Sequence, residues 1–248
     1  MTNSSVSIFD DAEQVAQAAA ARFVELANSS ITNRNLFATA LSGGSTPKRV
    51  HRLLAQSSHA VDWSKVHLFF GDERTVPADH PDSNFGMVQE TLLSELPVPA
   101  DNVHRIKGDG NPAMNATAYE RELRAFFAGA EWPQFDLIFL GIGADGHTAS
   151  LFPHTEALAE RDAWVTANWV EKLGTYRLTL TVPVINQARE IIFLVTGSEK
   201  AEALAAILQG PRNPELLPAQ LIRPASGRLS WLVDQAAAEK LRGFGKNL

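Results

Sequence analysis

The sequence predicts an α/β fold, a parallel sheet covered by helices on both faces. Three observations predict it. Short apolar runs alternate with segments of helical periodicity along the chain, the pattern of repeated βα units. Four of those runs stop at clusters of glycine, hydroxyl and charged residues, as sheet strands do when their ends carry a site. Finally, 248 residues with 45% hydrophobic content are enough for one domain to bury most of its unfolded surface. No long linker interrupts them, so a single α/β domain over residues 1–248 is expected.

The elements follow in order. Residues 10–27 are alanine-rich, with Val15, Ala18, Phe23 and Leu26 at near-helical spacing, which predicts an amphipathic helix. Leu36 to Leu41 is an apolar strand, and the sheet is expected to begin there. Pro47 then suits a first helical turn, with Val50, Leu53 and Leu54 continuing one face. Val66 to Phe70 is a second strand, and a helix starts near Asn84. Val103 to Ile106 is a short strand and Ala113 to Phe127 a helix. Phe135 to Leu140 is the next buried strand, and Tyr176 to Val182 alternates as a strand with one polar face. Ile191 to Val195 is wholly apolar, Ser198 is expected to cap a helix running to Leu208, and Ser230 to Val233 precedes a closing helix. Pro211 to Pro224 reads as a surface loop.

Composition narrows the chemistry. With no cysteine, thiol nucleophiles, thiolate metal sites and disulfides are excluded. The first residues lack the basic start and apolar core of a secretory signal, and no run approaches the roughly 20 apolar residues of a membrane span. A soluble cytoplasmic protein that binds neither membrane nor nucleic acid is expected, the formal charge of −6 opposing a basic nucleic-acid face. Any cations that hold an anionic substrate must be gathered locally.

The four polar strand ends are Ser42-Gly43-Gly44-Ser45-Thr46, Asp72-Glu73-Arg74, Gly141 to His147, and Thr196 to Lys200. Ends of parallel strands converge, so one shared pocket is predicted. In the first, glycines and a helix N-terminus make a phosphate cradle, with a plain helix start as the alternative. It lacks the Walker lysine pattern, which argues against a nucleoside triphosphate. Lys200 is a candidate second phosphate contact. The carboxylates of Asp72 and Glu73 could hold sugar hydroxyls, and Arg74 and Arg177 could hold anionic oxygens, or each could be an ordinary surface charge.

His147 follows a glycine-rich turn and Asp145 and precedes what reads as a Thr-Ala-Ser helix start. Gly141, Gly143 and Gly146 formally match G-x-G-x-x-G, but the loop lies mid-chain and His147 would crowd a pyrophosphate. His147 and His154 are not at a metal-ligand spacing. No serine sits in a nucleophile elbow. There remains a histidine general base acting on water, its ring oriented by Asp145.

Taken in order, A-L-S-G-G-S-T-P (40–47), F-F-G-D-E-R-T-V-P (69–77), D-S-N-F-G-M (82–87), F-D-L-I-F-L-G-I-G-A-D-G-H-T-A-S-L-F-P (135–153) and L-V-T-G-S-E-K-A (194–201) resemble the 6-phosphogluconolactonase family over nearly the whole chain. The resemblance implies a Rossmann-like, mostly parallel sheet shared with glucosamine-6-phosphate deaminase and ribose-5-phosphate isomerase. It implies hydrolysis of 6-phospho-glucono-1,5-lactone in the pentose phosphate pathway, without metal or organic cofactor, by a monomer or small homo-oligomer. The family's catalytic histidine falls on His147, and its phosphate and substrate contacts fall on Ser42, Gly43, Gly44, Ser45, Thr46, Arg74, Arg177 and Lys200. On this reading Asp72 aligns ring hydroxyls, and Arg74 is the candidate to stabilise the oxyanion, with loop N–H groups as the alternative. One stretch departs: relatives often lead into the strand arginine with prolines, and this chain has Lys172-Leu173-Gly174-Thr175-Tyr176.

Two rivals remain at this point. The related amino-sugar-phosphate deaminase carries a glutamate where Phe152 stands here, and a tyrosine where Arg74 stands. A non-catalytic sugar-phosphate-sensing domain would bring a DNA-binding segment, for which the residues before Leu36 offer one helix without a basic face.

Overall fold

A computed structural model describes residues 4–243. Its main sheet has seven parallel strands: β1 (Ser4–Phe9), β2 (Phe37–Leu41), β3 (Val66–Phe70), β5 (Val103–His104), β6 (Leu137–Leu140), β9 (Glu190–Val195) and β10 (Arg228–Asp234). Three further strands, β4 (Asp72–Arg74), β7 (Val165–Val170) and β8 (Thr175–Leu180), form a separate antiparallel sheet. The main order is β1-β10-β9-β6-β2-β3-β5. Every residue of β2, β6 and β9 is buried. Alternate residues of a strand face opposite sides, so both faces of the sheet centre are covered.

The helices are α1 (Ala12–Arg34), α2 (Ser45–Gln56), α3 (Asn84–Val88), α4 (Pro112–Phe126), α5 (Val182–Asn186), α6 (Ala201–Gln209) and α7 (Gln235–Ala238). Local chemistry sets their ends. The Asp11 carboxylate accepts from the Glu13 and Gln14 amides at the start of α1, and Asn111 caps α4 ahead of Pro112.

The topology positions the site. From β2 the chain builds outward to β3 and β5, then returns to the other side of β2 for β6 and continues to β9 and β10. The order reverses between β2 and β6, and ligands of such sheets bind at the strand C-termini beside this reversal. Gly71 lies between β3 and β4, its amide bonded to the Leu41 carbonyl and its carbonyl to the Leu180 amide. The chain thereby passes from the parallel sheet into the antiparallel one and carries Asp72, Glu73 and Arg74 to the switch point.

Several expectations are corrected. The sheet does not begin at Leu36, because β1 pairs along β10 from Ser4↔Leu229 to Phe9↔Asp234. The first helix runs on to Arg34, where Asn35 ends it in the left-handed region at φ 59°. Ser198 caps nothing: Ser198–Lys200 is a 3-10 turn and α6 begins at Ala201. No helix follows His147, since Thr148 and Leu151 close a tight bridge instead. The Pro211–Pro224 segment is not merely surface, for Pro218, Ala219 and Gln220 are buried and the Ala219 amide holds the Gly146 carbonyl at 3.1 Å.

Candidate active site

The loop after β6 is built to present one imidazole. Gly146 sits at φ +79°, a conformation glycine adopts without steric cost. The Gly146 amide bonds the Gly143 carbonyl at 3.0 Å, and the Gly143 amide bonds the His147 carbonyl at 2.8 Å. A Cβ on Gly143 would lie 2.0 Å from His147 Nδ1, so the ring packs where only glycine leaves room. Asp145 Oδ1 accepts from the His147 amide at 3.2 Å and faces His147 Nδ1 at 2.5 Å. With Nδ1 as the donor in that bond, Nε2 is left as the free acceptor. Phe152 stacks on the imidazole, centroids 4.1 Å apart.

Burial, foremost, draws the His147 pKa down from 6.5 to about 4. The Asp72 charge opposes this, and Lys200, Arg74 and Arg177 add to it. Those four charges come from the other strand ends and from β8, so the loops meet around one histidine. The imidazole is therefore neutral, and able to accept a proton, at any pH well above 4.

Asp72 is buried and held from two sides. Ser150 Oγ donates to its Oδ2 at 2.7 Å, and Asn84 Nδ2 reaches its Oδ1 at 3.2 Å. The Asn84 side chain lies against Gly43, where a Cβ would meet it at 1.9 Å, which locks the first loop to the second. Glu73 does not face a ligand, a correction to the expectation for this pair. It is 1% exposed and accepts from the amides of Arg74, Asn84 and Phe85 at 2.7–2.8 Å. Burial raises its pKa, those amides opposing. It fixes the start of α3.

Arg74 and Arg177 sit opposite each other in the β4–β8 register. Both are half-buried. Burial first, then the neighbouring Arg74 charge, pulls the Arg177 pKa below its ordinary value. An anion placed between the two guanidiniums would relieve this repulsion. Arg74 Nη1 donates to the Asp82 carbonyl at 2.8 Å.

No side chain caps the N-terminus of α2, where Gly44 is the cap residue, so its first-turn amides lack intrahelical partners. Thr46 and Thr196 hydroxyls meet at 2.7 Å and join the first and fourth loops. Ser42 Oγ is buried without a hydrogen-bond partner among the described residues. Gly44 and Ser45 are exposed, and Gly43 and Lys200 half-buried. Gly44, Ser45 and Arg74 share a depression of about 660 Å³. A larger cavity of about 1250 Å³ opens on the far side of Asp145, Phe152 and Lys172, and His147 does not line it. Among the described residues no cluster of three His, Asp or Glu could hold a metal, and no helix is long and apolar enough to cross a membrane.

Ser150, Asn84 and Lys172 escaped the sequence reading of the site. Ser150 and Asn84 are polar residues that fold inward, a fact legible only once their partner Asp72 is buried. Phe152 stood out solely for what it replaced. Lys172 donates to Asp145 from 27 positions away, and nothing in the intervening sequence marks the pair.

Fold and site together define a doubly wound α/β protein with a histidine–carboxylate pair, near Asp72, Arg74, Arg177 and Lys200, at its switch point. The chain belongs to the family described as glucosamine-6-phosphate isomerases/6-phosphogluconolactonase, whose model matches residues 10–231. A 6-phosphogluconolactonase of Synechocystis sp. is 46% identical over 215 residues, 86% of this chain and 88% of that protein. The solved structure of 6-phosphogluconolactonase from Trypanosoma cruzi is 28% identical, with a TM-score of 0.85 over 98% of each chain. A monomeric glucosamine-6-phosphate deaminase, 20% identical with a TM-score of 0.80 over 95% of this chain and 99% of its own, shares the fold.

Proposed function

We propose that the chain hydrolyses 6-phospho-D-glucono-1,5-lactone to 6-phospho-D-gluconate, the lactonase step of the oxidative pentose phosphate pathway. The observation that carries this reading is the neutral, half-buried His147, held by Asp145 through Nδ1 and surrounded by Asp72, Lys200, Arg74 and Arg177. Nε2 takes a proton from water as the oxygen attacks C1 of the lactone. The carbonyl electrons move to oxygen, and Arg74 stabilises the resulting oxyanion. When the carbonyl reforms, the bond from C1 to the ring oxygen breaks and His147 returns the proton to that oxygen. The new carboxylic acid then ionises and releases one proton to the medium.

Substrate phosphate sits on the loop of Ser42, Gly43, Gly44, Ser45 and Thr46, with Lys200 and Arg177 supplying the cations, and Asp72 aligns the ring hydroxyls. The uncapped start of α2 and the unpartnered Ser42 hydroxyl support this placement. The deaminase reading is disfavoured because Phe152, stacked on the His147 ring, supplies no carboxylate for ring opening. The enzyme is read as one domain over residues 1–248, cytoplasmic, and a monomer or small homo-oligomer.

Titration of released acid tests the reaction. Addition of protein to 6-phospho-gluconolactone is expected to release acid well above the spontaneous rate, while glucosamine-6-phosphate yields no ammonia. Ammonia release without lactone turnover overturns the assignment.

A further inference from the structure

The 3-10 turn Glu171–Leu173 joins β7 to β8 and ends at Gly174, φ 59°. It is the stretch where the chain lacks the prolines its resemblance led us to expect. From this tip Lys172 Nζ donates to Asp145 Oδ2 and lies 4.8 Å over the Phe152 ring. The same Asp145 holds His147 Nδ1 through Oδ1, and the same Phe152 stacks on the imidazole. Lys172 therefore touches both groups that flank His147.

The tip is braced for this. Trp169 Nε1 donates to Glu171 Oε2 at 2.7 Å, and Trp169 packs edge-to-face on Tyr176 with centroids 5.1 Å apart. Thr75 Oγ1 meets Thr175 Oγ1 at 3.0 Å and donates to the Tyr176 carbonyl at 2.9 Å, tying the hairpin to the end of β4. A lysine side chain half exposed to water gains little from an ion pair alone. This one also engages a ring, and it binds the oxygen that His147 does not use.

We propose that Lys172 is a positioning residue for the hydrolysis, pinning Asp145 Oδ2 so that Oδ1 stays on His147 Nδ1 and Nε2 stays aimed at water. The proposal rests on the reading of His147 as the base. Lys172 has a second effect through charge. The groups facing His147 are Asp145, Asp72, Lys200, Arg74 and Arg177, and Lys172 offsets the first of them. An uncompensated Asp145 anion would favour the imidazolium and cost the base its neutral form.

The test compares Lys172→Met, which keeps a stem to cover Phe152, with Lys172→Arg, beside His147→Ala. For Lys172→Met, kcat is expected to fall about tenfold through looser alignment, with KM for the phosphorylated lactone unchanged. The acid limb of kcat/KM should move to higher pH, and Lys172→Arg should restore both. Thermal unfolding of each variant checks that the hairpin is intact. An unaltered kcat and acid limb in Lys172→Met overturns the proposal. So does a rise in KM alone, which would make Lys172 a substrate ligand, or a loss of kcat that follows lowered stability and that arginine does not rescue. An inactive His147→Ala beside a wild-type-like Lys172→Met confines the failure to Lys172, whereas an active His147→Ala removes the base reading and the proposal with it.

Discussion

At the scale of single residues, the proposed chemistry turns on how little of His147 is free to do anything but accept a proton. One ring nitrogen is tied to Asp145, one face lies on Phe152, and burial holds the pKa near 4. The sign of the pH dependence follows. A histidine with a lowered pKa keeps its base form as pH falls below 6.5 and loses it only near the lowered value. The kcat/KM profile is therefore expected to stay flat from pH 7.5 to about 5.5 and to fall only below that, once corrected for the substrate phosphate, whose own second ionisation lies near pH 6. A limb at 6.5 or above would mean that the free enzyme's histidine titrates as if in water. His147 and Asp145 were legible in the sequence because Gly-rich turns rarely need an imidazole. Ser150 was not, since its role depends on Asp72 being brought beside it from 78 positions away.

At the scale of elements, each loop of the site is fixed by the strand that ends there and by a neighbour it locks against. Gly143 shows the tolerance. An alanine there would place a carbon 2.0 Å from His147 Nδ1 and 2.5 Å from Asp145 Oδ1. Gly143→Ala is expected to leave secondary structure and unfolding temperature near wild type while lowering kcat by about 10²-fold, the cost of an ångström-scale misplacement. Wild-type kcat would show that the loop gives way without moving the imidazole. The central strands were legible because burial on both faces makes them continuously apolar. Edge and polar strands were not. Ser4–Phe9 carries three serines at the sheet margin, Asp72–Arg74 is three charged residues whose strand character comes wholly from pairing with β8, and Val165–Val170 interleaves Thr166, Asn168 and Trp169 with its apolar positions. Tertiary pairing, not local propensity, made each of these a strand.

At the scale of the whole molecule, acid sensitivity is built into the fold. Burial holds His51 and His67 near 4, as it does His147, with the His104 charge adding to the effect on His67. Between pH 6.5 and about 4 the unfolded chain binds protons at these histidines that the folded chain refuses. Stability then rises with pH across that window and falls on acidification. The fully buried His51 alone contributes a slope of up to about 1.4 kcal/mol per pH unit. The urea midpoint is expected to be lower at pH 5.5 than at 7.5, and an equal or higher midpoint at 5.5 would contradict the burial of these rings. The molecule as a lactonase is tested most directly by His147→Ala. Its rate of acid release from 6-phospho-gluconolactone is compared with wild type and with the spontaneous reaction, while 6-phosphogluconate binding is measured by calorimetry. The expected result is a loss of about 10²–10⁴-fold in turnover with product affinity retained. Turnover within a few-fold of wild type would contradict the account.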